Sequence, residues 1–366
     1  MYLRAETLKK GSVGYTIRGR LLIYEGMFKY MNGINSIPVS VLDLVAVKEG
    51  QTNKEAFEDM VSLAEYVEKL GYNRYWLTEH HNSQSVISSA TAILIGHVLE
   101  KTASIKVGSG GIMLPNHAPL VVAEQFGTLE TMYPSRLDLG LGRAPGTDMQ
   151  TAHALRRTTQ ETSFAFPQDV LELQNYFKSI NQQGPVRAFP GVGANVPIYI
   201  LGSSTSSAEL AARLGLPYVF AAHFAPQQFE QAIHIYRNRF VPSEFLSTPY
   251  VMVCVNVIAA DSNEEADKLA TTSDRFYLNV VSRKQDLLKP PVETMDGLWS
   301  FYEENAVRGM SAYTFKGDRD TIAKQLTSFL GTFQVDELMA VSYIYDQEAR
   351  RHSYGILKEA MDQLND

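Results

Sequence analysis

The segment 105–148, IKVGSGGIMLPNHAPLVVAEQFGTLETMYPSRLDLGLGRAPGTD, constrains the architecture more tightly than any other part of this chain. It opens with a short β-prone run that ends in Gly108, Gly110 and Gly111, residues that permit backbone geometry and close approach a Cβ would forbid. Pro119 suits the first turn of a helix, Leu120 to Met132 carries apolar residues at helical spacing, and Pro134 with Ser135 stops it. A second β-prone run, 137–141, leads into Gly140, Gly142, Arg143, Pro145 and Gly146. Two strands joined by one helix make a βαβ unit, and in parallel α/β folds the carboxyl ends of the strands are where ligands sit.

The same alternation repeats along the chain. Strands are expected at 38–47, 75–78, 105–110, 137–141, 196–201, 218–222, 250–260 and 337–343. Thr52 to Glu55 fits a capping box ahead of an amphipathic helix that Gly71 closes. Further helices are expected at 88–102, 151–164, 168–180 and 226–240, from Ser262, and at 318–330 and 347–364. With 366 residues the chain has the length for an α/β fold of the (β/α)8 TIM-barrel type. It carries insertions after strand 4 (145–195) and before strand 8 (281–313). The first, with its Gly/Pro/Gln-rich loop 181–195, reads as a lid over a site. Residues 1–35 show no period and are expected to be a poorly ordered N-terminal arm or a start-site artefact, with Met27 or Met31 as the native start. Residues 36–366 form a single domain.

A net charge of -7 supplies no basic footprint for nucleic acid. With Cys254 the sole cysteine, neither a disulfide framework nor a thiolate metal site is available. The longest apolar run, 86–99, is interrupted by Ser88, Ser89, Thr91 and His97 and is too short to span a bilayer. No signal-peptide core is visible, so the cytoplasm is the expected location and no membrane partner is expected.

Candidate chemistry gathers at strand ends. Glu79, His80 and His81 follow strand 2, and an imidazole there can exchange a proton near neutral pH. The bland alternative is one structural and one solvated histidine. Adjacent histidines on a strand end point apart, and HExxH is absent, so no metal site is expected. The loop 202–207, GSSTSS, offers hydroxyls and free N–H groups at a helix start, a combination that favours an anion, and Arg143 lies at the neighbouring strand end. A plain serine cap is the alternative. Gly110 and Gly111 suit either a strained or cis peptide beneath a planar ring or a glycine bulge. Asn116, His117 and Gln125 are lining candidates at best.

Three ordered segments, RYWLTEHHN (74–82), VGSGGIMLPNHAPLVVAEQFGTLETMYPSRLDLGLGRAPGTD (107–148) and PIYILGSSTSSAELAARLGLPYVFAAHFAP (197–226), resemble the bacterial luciferase-like flavin-dependent monooxygenases, most closely the YhbW-type subgroup. The resemblance runs from residue 37 to the C-terminus and has no counterpart for the N-terminal arm. It implies reduced FMN, or the deazaflavin F420 in some relatives, held across the carboxyl-end face. It further implies that His80 assists catalysis beside the ring and that Glu79 lies next to it. Gly110 and Gly111 would form a non-proline cis peptide behind the isoalloxazine, and Arg143, Leu201, Gly202, Ser203, Ser204 and Ser207 would hold the cofactor, the phosphate especially. The implied reaction oxygenates a small organic substrate through a flavin C4a-(hydro)peroxide. Light-emitting members carry a cysteine where this chain has Gly142, which argues against bioluminescence.

No NAD(P)H fingerprint is present, so a separate flavin reductase is the expected source of reduced FMN. The small-residue helix 88–102 permits close helix approach, and relatives pair through this region, so a homodimer is expected. The competing readings are an F420-dependent oxidoreductase on the same scaffold, a non-catalytic flavin-binding protein, and, last, a metal-dependent barrel hydrolase.

Overall fold

The computed structural model describes residues 37–144, 146–155 and 162–364. The expected N-terminal arm and part of the expected helix 151–164 lie outside these.

The strands are β1 (Val39–Asp43), β2 (Arg74–Leu77), β3 (Lys106–Met113), β4 (Leu137–Gly142), β5 (Ile198–Gly202), β6 (Tyr218–Ala221), β7 (Val251–Ala259), β8 (Thr314–Gly317) and β9 (Glu337–Val341). The helices are α1 (Asn53–Lys69), α2 (Thr91–Lys101), α3 (Pro119–Met132), α4 (Met149–Leu155), α5 (Thr162–Tyr176), α6 (Thr205–Leu214), α7 (Phe229–Arg239), α8 (Asn263–Val281), α9 (Phe301–Met310), α10 (Arg319–Thr332) and α11 (Gln347–Gln363). Strands β1 to β6 pair in sequence, β6 pairs with β7, β7 with β9, and β9 with β1, all in parallel. Eight strands therefore close into a (β/α)8 barrel. Strand β8 lies outside the ring, on the second half of β7, where Asn256 to Ala259 pair with Thr314 to Gly317. That strand was not expected from the sequence: its four residues, TFKG, carry only one apolar side chain.

Local signals position the helices. Thr52 caps α1 in a capping box with Glu55, as its spacing implies. Ser262, Ser300, Asp318 and Asp346 do the same work for α8, α9, α10 and α11 through side-chain acceptors. The second helix of the strand-4 insertion differs from expectation. It runs through Pro167 without a break, and Phe166, Val170 and Leu173 are buried in the main core. That burial outweighs a proline penalty of about 3 kcal/mol. This half of the insertion is thus barrel wall, not a lid.

The amino-terminal end of the barrel is plugged by buried charge. Arg74 on β2 reaches Asp138 on β4 at 2.8 Å and Glu337 on β9 at 2.9 Å, and also donates to the hydroxyl of Tyr199 on β5 at 2.8 Å. Tyr250 donates to Glu337 at 2.5 Å, and Ser40 on β1 donates to it as well. With that end filled, the carboxyl ends of the strands are left to build a site. Among the described residues no helix is long and apolar enough to cross a membrane.

Candidate active site

Glu79 and His80 leave β2 at the carboxyl-end rim. Glu79 is fully buried and both its oxygens are engaged. Oε1 meets His81 Nε2 at 2.8 Å, His117 Nε2 at 2.9 Å and Asn116 Nδ2 at 3.1 Å, while Oε2 accepts from the backbone N–H of Met113 at 3.0 Å. Burial alone would raise the carboxyl pKa, but the hydrogen bonds of His117 and His81, with the charge of His117 and the hydrogen bond of Asn116, overcome it and bring it down to about 2. Glu79 is therefore an ionised clamp that ties the β2 loop to the end of β3. The three groups Glu79, His81 and His117 also have the composition of a cation site. Their separations are those of hydrogen bonds centred on one carboxylate oxygen, which accounts for the cluster without an ion.

His80 points elsewhere, as alternation at a strand end requires. Its Nδ1 lies 3.0 Å from Thr78 Oγ1, which in turn meets Ser88 Oγ at 2.9 Å. Burial, partly offset by Glu79, lowers the imidazole pKa to about 4, so it is neutral at physiological pH. It lines a cleft of about 350 Å³. The stacked rings of Phe276 and Tyr343, 4.2 Å apart, also line this cleft, with Phe224, Val280 and Met310.

The peptide between Gly110 and Gly111 is cis, and the pairing of β3 with β4 shifts register between Ser109 and Ile112. Both features anticipated for the double glycine are present together. A Cβ on Gly111 would fall 2.7 Å from Gly140 O and 3.1 Å from Leu201 Cδ2, and one on Gly110 would fall 2.4 Å from Leu42 Cδ1. The result is a ledge of bare backbone spanning β3 and β4, with Leu201 of β5 against it.

Beyond this ledge, Arg143 from the β4 loop lines a second cleft, of about 290 Å³, with Ser206, Glu209, Arg213, Phe166 and Pro167. The serine loop feeds it. Ser204 caps α6 and accepts from Ser207 N at 3.4 Å, and its Oγ lies 3.0 Å from Ser206 Oγ. Ser207 is turned inward: its Oγ donates to Ser204 O at 2.7 Å and meets Tyr218 Oη at 3.0 Å. Gly202 leaves room for that inward turn, since its Cβ would fall 2.1 Å from Ser207 Oγ. Glu209, the acid in this cleft, is paired with Arg239 at 2.5 Å. Ser203 is half-buried on the same loop, whereas Gln125 is exposed on α3.

Sequence reading passed over several residues that the fold brings here. Arg213 joins Arg143 and the serine loop, and Thr78 holds His80. His223 follows β6 just as His80 follows β2. It is fully enclosed, its Nδ1 lacks a hydrogen-bond partner among the described residues, and burial followed by the charge of His80 lowers its pKa to about 3. The position rule applied to His80 would have found it.

The sequence model of the luciferase-like monooxygenase family matches residues 37–332. The chain belongs to that family. An Escherichia coli (strain K12) protein named luciferase-like monooxygenase is 45% identical over 329 residues, covering 90% of this chain and 98% of its own. Among solved structures, apo-MsnO8 is 32% identical with a TM-score of 0.79, covering 88% of this chain and 98% of its own. The oxygenating constituent of 3,6-diketocamphane monooxygenase of Pseudomonas putida, solved in complex with FMN, shares the fold at a TM-score of 0.70 and 15% identity, covering 89% of this chain and 98% of its own. Membership of this family supports an oxidoreductase.

Proposed function

We propose that this family member is a monooxygenase that binds reduced FMN and uses O2 to oxygenate a small organic substrate. The observation that carries the reading is a convergence. His80, the glycine ledge and the Arg143 cleft come from β2, β3 and the loops of β4 and β5, which are consecutive neighbours on one rim. A tricyclic ring would lie on the ledge of bare backbone that Gly110, Gly111 and Gly140 form, where the strands approach too closely for a Cβ and no side chain stands at these three positions. A phosphate fits the second cleft because Arg143 and Arg213 make no ion pair among the described residues and α6 presents its amino terminus beside them. Glu79, already saturated with donors, supports this surface from below.

When bound, reduced FMN would supply the electrons for O2 activation. The chain's own contribution is positional. Arg143 with the Ser204 to Ser206 turn would anchor the phosphate, and the backbone of Gly110 and Gly111 would carry the ring. His80, kept neutral and with Nδ1 on Thr78, would turn Nε2 to the reacting atoms to take or return a proton. The aromatic and aliphatic walls of the 350 Å³ cleft would exclude water. A separate flavin reductase would be the source of reduced FMN, and α2, with Ile93 73% exposed, would form the face of a homodimer. Sedimentation at micromolar concentration tests the dimer.

Titration with FMN, reduced and oxidised, and with F420 tests the cofactor. We expect FMN to bind, Arg143→Ala to weaken it by about tenfold or more, and His80→Ala to leave affinity unchanged while slowing O2 consumption. Equal affinity in wild type and Arg143→Ala would remove the phosphate assignment. Oxygen-independent turnover with reduced F420 would replace the reading with an F420-dependent oxidoreductase.

A further inference from the structure

The cleft lined by His80 is walled by aromatic rings that hold one another in place. Phe276 on α8 stacks on Tyr343, which follows β9, at 4.2 Å and 19°. Tyr277 meets both edge-on, at 5.7 Å from each. Its hydroxyl donates to His223 O at 2.7 Å, which ties α8 to the loop after β6. There the ring of Phe224 stands edge-on to that of His223 at 4.8 Å. Phe224, Phe276, Tyr277 and Tyr343 all line the cleft, so the wall is set before a ligand arrives and costs little ordering on binding. Phe224 is 42% exposed and Val280, in the same lining, 47% exposed, which leaves apolar surface open there. The volume, about 350 Å³, is at the small end of ligand sites and limits the guest to a compact molecule.

The charges at this cleft are balanced. Lys284 and Asp286 both line it. The Asp286 carboxyl is held below the ordinary range by Lys289, at 2.9 Å, and the charge of Lys284 adds to this. Glu303 is held low first by its hydrogen bonds with Ser300, and Lys284 acts on it as well. His80 is uncharged at neutral pH because of its burial, and its neighbour Glu79 is already engaged by His81, His117 and Asn116. A charged head entering this cleft would lose its water and meet no free opposite charge.

We propose that this cleft receives a compact, uncharged aromatic molecule whose ring packs against Phe224, Phe276 and Tyr343. Aromatic pairs gain more than the burial of their area gives, and a saturated guest of the same size forgoes that gain. That this guest is the substrate rests on the monooxygenase reading; the selectivity for a neutral ring belongs to the cleft itself.

Calorimetric titration of the full chain with four probes of similar size tests it: 2-phenylethanol, 2-cyclohexylethanol, phenylacetate and 2-phenylethylammonium. Without flavin, wild type is expected to bind 2-phenylethanol about threefold to tenfold tighter than 2-cyclohexylethanol. It should bind 2-phenylethanol about tenfold tighter than either ion. Phe224→Leu and Phe276→Leu, each checked for folding by thermal unfolding, should bring the ratio of the two alcohols toward one by weakening 2-phenylethanol alone. Phe301→Leu, at a ring 73% exposed and outside the cleft, should change nothing. Equal affinity of the two alcohols for wild type, a ratio undiminished in both variants, an ion bound as tightly as the neutral ring, or no binding of any probe would overturn the assignment. Titration in excess oxidised FMN separates guest from cofactor. Retained affinity for 2-phenylethanol is expected, and its displacement by FMN would show that these rings serve the flavin instead. Loss of FMN binding or of O2 consumption would strike the monooxygenase reading and leave the selectivity standing.

Discussion

The Nδ1 atom of His80 sits 3.0 Å from the hydroxyl of Thr78, two residues back on the same strand end. Ser88 meets that hydroxyl at 2.9 Å, and Thr91 donates to Thr78 O at 3.0 Å, so the relay is held from α2 as well. Thr78 is placed to hold the direction of the His80 ring, and through it the proton exchange proposed for that ring. Thr78→Val keeps the shape and removes the hydroxyl. It should lower kcat about tenfold with KM and FMN affinity unchanged, and Thr78→Ser should restore most of the loss. A fall in FMN affinity instead would show that the threonine only supports the fold.

The protonation of His80 gives a second expectation. Its native pKa of about 4 lies below the ordinary imidazole value of 6.5, so between those values the unfolded chain holds more protons than the native one. Stability is therefore fully present above pH 6.5, declines as pH falls toward 4, and does not decline further on this account. His223, lowered to about 3, acts in the same direction over a wider window. The acid limb of the kcat profile should fall near pH 4, not near 6.5, and should vanish in the residual activity of His80→Asn. A limb near 6.5 in wild type would mean the imidazole is solvated during turnover.

Glu79 has the opposite charge and the same sign of dependence. Its native pKa of about 2, against an ordinary carboxyl value of 4.5, means that its stabilisation is present above pH 4.5 and is lost as pH falls toward 2. Glu79→Gln places an amide donor among groups that themselves donate. It should cost about 2 to 4 kcal/mol at neutral pH. Urea unfolding of wild type and variant at pH 7 and pH 3 checks this, with the gap expected to narrow at the lower pH. A gap that stays constant with pH would show that the charge of Glu79 is not what matters.

How much of this was open to sequence reading depends on whether the cause is local. The barrel was legible because its signals repeat within a dozen residues: the Thr52–Glu55 box, the glycines after β3 and β4, the helical spacing of α3. The placement of His80, the double glycine and Arg143 at strand ends followed from the same pattern. Strand β8 was lost because four residues half polar in character carry no period. Helix α5 was broken in the reading at Pro167 because a local penalty was visible and the burial of Phe166, Val170 and Leu173 was not. The Arg74–Asp138–Glu337 plug was out of reach, since its partners are 64 and 263 positions from Arg74. The cleft beside His80 draws Phe276, Val280 and Tyr343 from stretches far from His80 for the same reason.

That plug can be tested directly. Arg74→Met would leave the carboxylates of Asp138 and Glu337, both fully buried, facing each other without a cation. Breaking one side of such a pair costs about 3 to 5 kcal/mol. The melting temperature should fall sharply, while the folded fraction at low temperature should bind FMN as wild type does, because the plug is at the opposite end of the barrel. An unchanged melting temperature would mean that water reaches these carboxylates.

Gly140 separates the demands of the ledge from those of folding. Its Cβ would lie 2.2 Å from Ser109 O and 2.8 Å from Leu201 Cδ1. The first of these is backbone, held in the β3–β4 pairing, and cannot swing aside. Gly140→Ala should therefore force β3 and β4 apart, at a cost of about 1 to 3 kcal/mol. Because the same two strands carry Gly110 and Gly111, FMN affinity should drop with stability. Gly184→Ala is the matched control, since a Cβ there meets nothing within 4 Å. It should be neutral in both measurements. Thermal unfolding and FMN titration of the two variants read the two effects separately. A Gly140→Ala protein that is destabilised yet binds FMN with wild-type affinity would show that the ledge does not carry the ring.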